Sequence, residues 1–172
     1  MRILRPVAAT ILVVLLGACG SGDDVGPAVG DYFTQLQRVS ETGQIQQRGL
    51  QRDLRRRLEG ASEGEDRMAV LMVYIDQSTR LAQDVVDALG QLEPPEELAA
   101  SQRAYQDAWR SQLAVAAGVR DAGFTGAAEI LEALQPAFGN AAAETKARCD
   151  DLQAAVAANG SDVDLVCDGR AA

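Results

Sequence analysis

The chain has no histidine. That absence alone removes the Ser-His-Asp and Cys-His catalytic arrangements, the zincin motifs and the Glu-x-x-His metal sites of ferritin-like bundles. Cationic charge is also scarce. Sixteen Lys and Arg stand against 25 Asp and Glu, a net charge of −9, and Lys146 is the single lysine. Nucleic acid requires a basic surface, so it is not an expected partner. No internal repeat is visible, and strand signals are missing except in the tail, where Val163, Leu165 and Cys167 alternate with polar residues. The apolar run Val7 to Leu16 holds ten residues, broken only by Thr10. It is too short to cross a bilayer, which takes ~20 residues.

That run follows Arg2 and Arg5, the arrangement of a secretory signal peptide. Leu16-Gly17-Ala18-Cys19 then resembles the bacterial lipobox, with Leu three positions before an obligatory Cys and small residues between. The resemblance implies a diacylglyceryl thioether on Cys19 and cleavage between Ala18 and Cys19. Two acyl chains suffice for stable anchoring. The expected organisation is a lipoprotein signal peptide (1–18), a lipidated Cys with a flexible tether (19–30), and one helical domain (31–172). The tether, rich in Gly and Asp from Ser21 to Gly30, reaches at most ~35 Å. Loss of Arg2 and Arg5 from the net −9 leaves −11 on the remainder. The expected location is the extracytoplasmic face of the cell membrane, held through the lipid on Cys19, or the outer membrane in a cell that has two.

With Cys19 assigned to lipid, Cys149 and Cys167 remain. Two thiols outside the cytoplasm usually pair. Reach permits it. Helix from Cys149 to about Ala158 covers ~14 Å, and an extended tail from Gly160 to Cys167 spans ~25 Å. The tail can therefore fold back along the last helix.

Apolar spacing predicts four helices. The first runs from about Pro27 to Glu59, on a stripe of Val29, Phe33, Leu36, Leu50 and Leu54, with Arg57 on its extension. The middle of that stripe is polar or small (Ser40, Gly43, Gln47), and Gly43 is a candidate bend or break. Ser62-Glu63-Gly64-Glu65 has the form of a capping box for the second helix. Its stripe is Leu71, Tyr74, Ser78, Leu81, Val85, Ala88 and Leu92. Pro94-Pro95 ends it and starts the third, which carries Leu98, Tyr105, Ala108/Trp109, Gln112, Val115/Ala116 and Val119 to about Asp121. Thr125 is the expected N-cap of the fourth. That helix carries Leu131, Leu134, Phe138, Ala141, Thr145, Cys149, Leu152 and Val156, with a kink expected at Pro136 and a stop at Asn159-Gly160. Short connections make neighbours antiparallel. The expected fold is all-α: an up-down four-helix bundle with its tail folded back on helix four.

Two segments carry a family resemblance. They are Leu92-Glu93-Pro94-Pro95-Glu96-Glu97-Leu98 followed by Tyr105, and Cys149-Asp150-Asp151-Leu152-Gln153 followed by Asn159 to Cys167. The chain resembles poorly characterised exported lipoproteins of actinobacterial type, which implies a helical bundle with a C-terminal disulfide and no known activity. Such chains often carry a His shortly after the Pro-Pro turn. Here that stretch reads Ser101-Gln102-Arg103, so a function tied to that His does not carry over.

Two groups of side chains stand out as binding candidates. Arg48, Arg52, Arg55, Arg56 and Arg57 crowd the end of helix one against Asp53 and Glu59, a cationic patch for an envelope protein or anionic partner. Gln47, Ser78, Trp109 and Gln112, near the Pro136 kink, fall at one level of the bundle and would form a polar, aromatic layer. Asp150, Asp151, Asp162, Asp164 and Asp168 fail the EF-hand pattern, so no metal or other cofactor is expected. Asp76, Asp84, Asp87, Glu132 and Glu144 fall off the apolar stripes, and no enzymatic activity is expected. The expected role is a membrane-anchored, non-enzymatic helical interaction module of the cell envelope. The alternative is a small-ligand-binding lipoprotein using the polar layer.

Overall fold

The computed structural model describes residues 27–62 and 64–167. The expected signal peptide, Cys19, the start of the expected tether, Glu63 and Asp168 lie outside the described residues. Four helices follow in order: α1 (Pro27–Gly60), α2 (Glu65–Gln91), α3 (Ala99–Asp121) and α4 (Ala127–Ala158), with one 3-10 turn at Glu96–Leu98. Among the described residues there is no strand.

Helix α1 begins at Pro27, so residues 27–30 of the expected tether are helical. Proline suits a first turn because its missing N–H has no partner there in any case. Gly43 does not end α1, which continues to Gly60. Gly43 is instead a place of close approach. A Cβ there would lie 3.0 Å from Val85 Cγ2 and 3.2 Å from the Trp109 ring. Leu58 rather than Arg57 continues the apolar stripe, and Arg57 is exposed.

The expected capping box does not form. The N-cap of α2 is Gly64, two residues past Ser62, with a φ of 87° and no side-chain cap bond. The Ser62 hydroxyl bonds Asp66 instead. Thr125 likewise precedes the true N-cap of α4, Gly126. Glu129 reaches back from the first turn and accepts the Thr125 backbone N–H at 3.1 Å. Pro136 is exposed and α4 runs continuously through it. Asn159 caps α4, and Gly160 turns the chain at φ 77°. The Gly160 N–H donates to Ala157 O and the Ser161 N–H to Val156 O, the paired bonds of a Schellman stop.

Short connections place consecutive helices antiparallel, with α3 between α2 and α4, and α1 against α2. The apolar core has two parts. One joins Tyr32, Phe33 and Leu36 of α1 to Val85 and Leu89 of α2, Tyr105 and Trp109 of α3, and Cys149, Leu152 and Val156 of α4. The other joins Leu71 and Ile75, Ala116 and Val119, and Ile130 and Leu134, with Leu54 and Leu58 of α1 against it. Ile130 is buried where the pattern pointed to Leu131, which is only partly covered. Buried Ser78, Gln112 and Thr145 fall between the two parts on α2, α3 and α4, with Gln47 facing them from α1. Part of the expected polar layer thus separates the two core parts on α2, α3 and α4, whereas Trp109, also expected in it, belongs to the first part.

The tail returns along α4. Leu165 and Cys167 are buried, and Cys149–Cys167 form a disulfide with their Cα atoms 5.4 Å apart. No neighbouring strand is available, so one side chain takes its place. The Gln153 amide donates to Val163 O at 3.1 Å and accepts the Leu165 N–H at 2.6 Å.

Two stability measurements follow from this packing. Replacing Cys149 and Cys167 with Ala should cost about 3 kcal/mol for a loop of this length. That is a fall of roughly 6–12 °C in Tm for a chain of this size, with helical circular dichroism retained. Gly43→Ala should destabilise, because the new Cβ presses on the buried Val85 and Trp109 side chains, whereas Gly49→Ala meets nothing within 4 Å and should stabilise by about 0.5–1 kcal/mol. Urea denaturation of the two variants checks the opposite signs.

Candidate functional site

The backbone of helix α1 approaches that of α2 closely and stands further from α3 and α4. No α1 Cα lies within 8 Å of an α3 or α4 Cα among the described residues. The space left between α1 and the α3–α4 pair is a cleft of about 530 Å³. Gln44, Gln47, Arg48 and Gln51, spaced three and four apart, present one face of α1 to it. Trp109 and Gln112 come from α3, Thr145 and Lys146 from α4, and Cys167 from the tail.

The polar groups divide by helix. The buried amides of α3 are well partnered. Gln102 Nε2 donates to Leu89 O at 2.9 Å, and its Oε1 accepts the Tyr32 hydroxyl at 2.7 Å. Gln106 Nε2 donates to Val86 O at 2.7 Å, over Gly90, where a Cβ would lie 3.0 Å from that nitrogen. Gln112 Nε2 donates to the Thr145 hydroxyl at 2.9 Å, and Thr145 donates to Ala141 O at 2.8 Å. Facing α1 the pattern reverses. Gln47 Oε1, Arg48 Nε and Trp109 Nε1 are buried atoms without a hydrogen-bond partner. Gln47 is 7% exposed and Trp109 1%. The Tyr105 hydroxyl lies beside Trp109 and Gln44 but is not in hydrogen-bonding geometry with either. Each buried polar group left unpaired costs ~1–3 kcal/mol.

Three of the four residues expected in the polar layer, Gln47, Trp109 and Gln112, therefore meet in one cleft. Ser78 lies in the same layer but outside the cleft, beside Tyr74. Pro136 contributes nothing to it. The five arginines do not act as one patch. Arg48 enters the cleft, while Arg52 and Arg56 flank Gly49 around a separate depression. Arg56 and Arg57 both pair with Asp53. The Arg56 hydrogen bond above all holds its carboxyl below the ordinary value, against an opposing desolvation, and the Arg57 hydrogen bond and the two guanidinium charges add smaller contributions. Arg55 is exposed. Among the tail acids, Asp150 pairs with Lys146 at 2.6 Å and Asp151 with Arg148 at 3.1 Å. Among the described residues, no cluster of three or more His, Cys, Asp or Glu is placed to hold a metal ion.

Sequence reasoning missed Gln102, Gln106, Gln44, Gln51, Thr145 and Lys146 as functional or structural polar groups. A signal existed for three of them. Gln102 completes the heptad stripe Leu98, Gln102, Tyr105, Trp109, and Gln44 and Gln51 flank Gln47 and Arg48 on one face. No protein-family model matches the chain, and neither a curated protein nor a solved structure matches it. The fold and the cleft thus define the class directly: an all-α bundle with a polar cleft beside its first helix.

Tyr32 and Tyr105 offer a matched test of the polar groups. Tyr32→Phe should cost about 1–2 kcal/mol, because Gln102 Oε1 loses its donor, whereas Tyr105→Phe deletes an unpartnered hydroxyl and should be neutral or stabilising. Burial pushes the Tyr32 hydroxyl up to about 12. A folded value raised above the unfolded one gives stability that is full below pH ~10 and is lost as pH rises toward ~12. Chemical denaturation at neutral pH, repeated across that alkaline window, should show a shallower decline for Tyr32→Phe than for the parent.

Proposed function

We propose that this chain is an exported lipoprotein, anchored through Cys19 at the extracytoplasmic face of the envelope, whose bundle serves as a non-enzymatic binding module. The observation that carries this reading is the Cys149–Cys167 disulfide, which ties the tail to α4. Such bonds persist in oxidising compartments and are rare in the cytosol. The lipobox-like Leu16-Gly17-Ala18-Cys19 supplies the anchor. Among the described residues no helix is long and apolar enough to cross a membrane, and in this reading attachment comes from the lipid. Acidic side chains such as Asp76, Asp107 and Glu144 sit on outer faces paired with arginines, an arrangement of solvated surface rather than acid–base chemistry.

One observation favours small-ligand binding over display of a surface for an envelope protein. Three of the six described residues with an unpartnered buried polar atom, Gln47, Arg48 and Trp109, line the cleft, whereas the arginines at the end of α1 are dispersed or paired with Asp53.

The anchor is tested in the native host. Cys19→Ser should leave the precursor uncleaved or release the protein, and globomycin should make precursor accumulate. Mass spectrometry of the mature protein should find a diacylglyceryl modification on Cys19. A Cys19→Ser variant processed and membrane-held like the parent refutes the anchor.

A further inference from the structure

We propose that the second half of α1, residues 48–60, is a flap that opens by itself, while the first half of the helix stays clamped and α2, α3 and α4 remain packed.

The two halves of α1 are held differently. In the first half Tyr32, Phe33, Leu36 and Ser40 are buried, and the Tyr32 hydroxyl donates to Gln102 at 2.7 Å. Gly43 then seats the helix against Val85 and Trp109. From Arg48 to Gly60 no residue is buried. The apolar side chains of this stretch are Leu50, Leu54 and Leu58, each only partly covered. Its polar groups add no tie to the rest. Among the described residues its ion pairs run from Arg56 and Arg57 to Asp53, inside the same helix, and none of its side chains hydrogen-bonds another helix.

The stretch is also a weak helix in its own right. Arg48, Arg52 and Arg56 recur at i, i+4, where like charges destabilise a helix, and Gly49 costs helix propensity between them. Arg48 Nε is shut from water without a partner, a cost that opening removes. Segments with little buried apolar contact open below the global free energy of unfolding. The first helical turns of α2 do not share this freedom further in, because Leu71 and Ile75 are fully buried. Opening would withdraw Arg48 and Gln51 from the rim of the cleft. It would also lift Leu54 and Leu58 from the lower core of Leu71, Ile75, Ala116, Val119, Ile130 and Leu134. One movement therefore widens the cleft and uncovers the lower core.

Trypsin reads the flap directly, because Arg48, Arg52, Arg55, Arg56 and Arg57 all lie in it. The test exposes the purified full chain in detergent, under native conditions, to dilute trypsin and times each cut by mass spectrometry. Cuts after Arg52, Arg55, Arg56 and Arg57 should appear about tenfold or more faster than cuts after Arg103 and Arg110 of α3, since native-state proteolysis follows the population of the open form. Low urea should accelerate the flap cuts less steeply than the α3 cuts, because a partial opening exposes less surface than unfolding does. Cys149→Ala combined with Cys167→Ala should speed the α3 cuts about tenfold or more, by releasing a constraint on the unfolded chain, and leave the flap cuts at their former rate. The proposal is overturned if the flap arginines are cut no faster than Arg103 and Arg110, if both sets share one urea dependence, or if the double variant speeds both sets together. The urea comparison uses the parent chain, so it decides the matter even where the double variant does not fold. The outcome is independent of whether Cys19 carries lipid.

Discussion

Buried amides cannot be left dry, and on α3 that requirement sets the geometry of the bundle. Gln102 and Gln106 reach across to the carbonyls of Leu89 and Val86 on α2, and Gln112 reaches Thr145 on α4. Each bond has a fixed length and direction, so it specifies the register of one helix against the next, which hydrophobic contact alone leaves loose. Gly90 matters for the same reason, since a side chain there would collide with the Gln106 amide. The three-helix sheet of α2, α3 and α4 is thus pinned on both faces of α3.

Helix α1 stands outside this arrangement. It is tied to α3 by one buried amide bond, Tyr32 to Gln102 near its start, and otherwise by packing. Gly43 admits the Trp109 ring, and Leu54 and Leu58 cover the lower core. Between these anchor points the α1 face turns polar, and its Gln and Arg side chains meet no counterpart. A core that tolerates unpaired polar atoms gives up stability there. Binding sites commonly carry that kind of local cost, because groups poised for a ligand cannot also satisfy each other.

The tail shows how little secondary structure a covalent bond requires. Val163 to Cys167 lacks a strand partner, and a single Gln153 side chain supplies the two hydrogen bonds that a neighbouring strand would have offered. The disulfide then holds the segment against Leu152 and Val156, where Leu165 adds to the core. In the proposed setting, outside the cytoplasm, that bond is stable.

Periodicity and punctuation were enough to place four helices, their short connections, the fold-back and the disulfide. Those features follow from local chemistry: apolar spacing, Pro94-Pro95, Asn159-Gly160 and the compartment implied by Cys19. The polar layer was legible too, because Gln47, Ser78 and Gln112 interrupt apolar stripes at one level. Caps were misread at Ser62 and Thr125, since a helix start depends on where the incoming turn ends and not on the nearest hydroxyl. Gly43 looked like a break because a sequence shows the missing side chain and not the Trp109 ring that fills its place. Arg48 looked like one of five equivalent cations. Its distinction arises only when α1 stands away from α4 and one face of the helix becomes the wall of a cleft. Which buried polar groups find partners is a property of three-dimensional proximity, and no spacing along the chain encodes it. The sequence by itself therefore determined the elements and their order. Tertiary structure decided which amides bind the bundle together and which are left facing an open site.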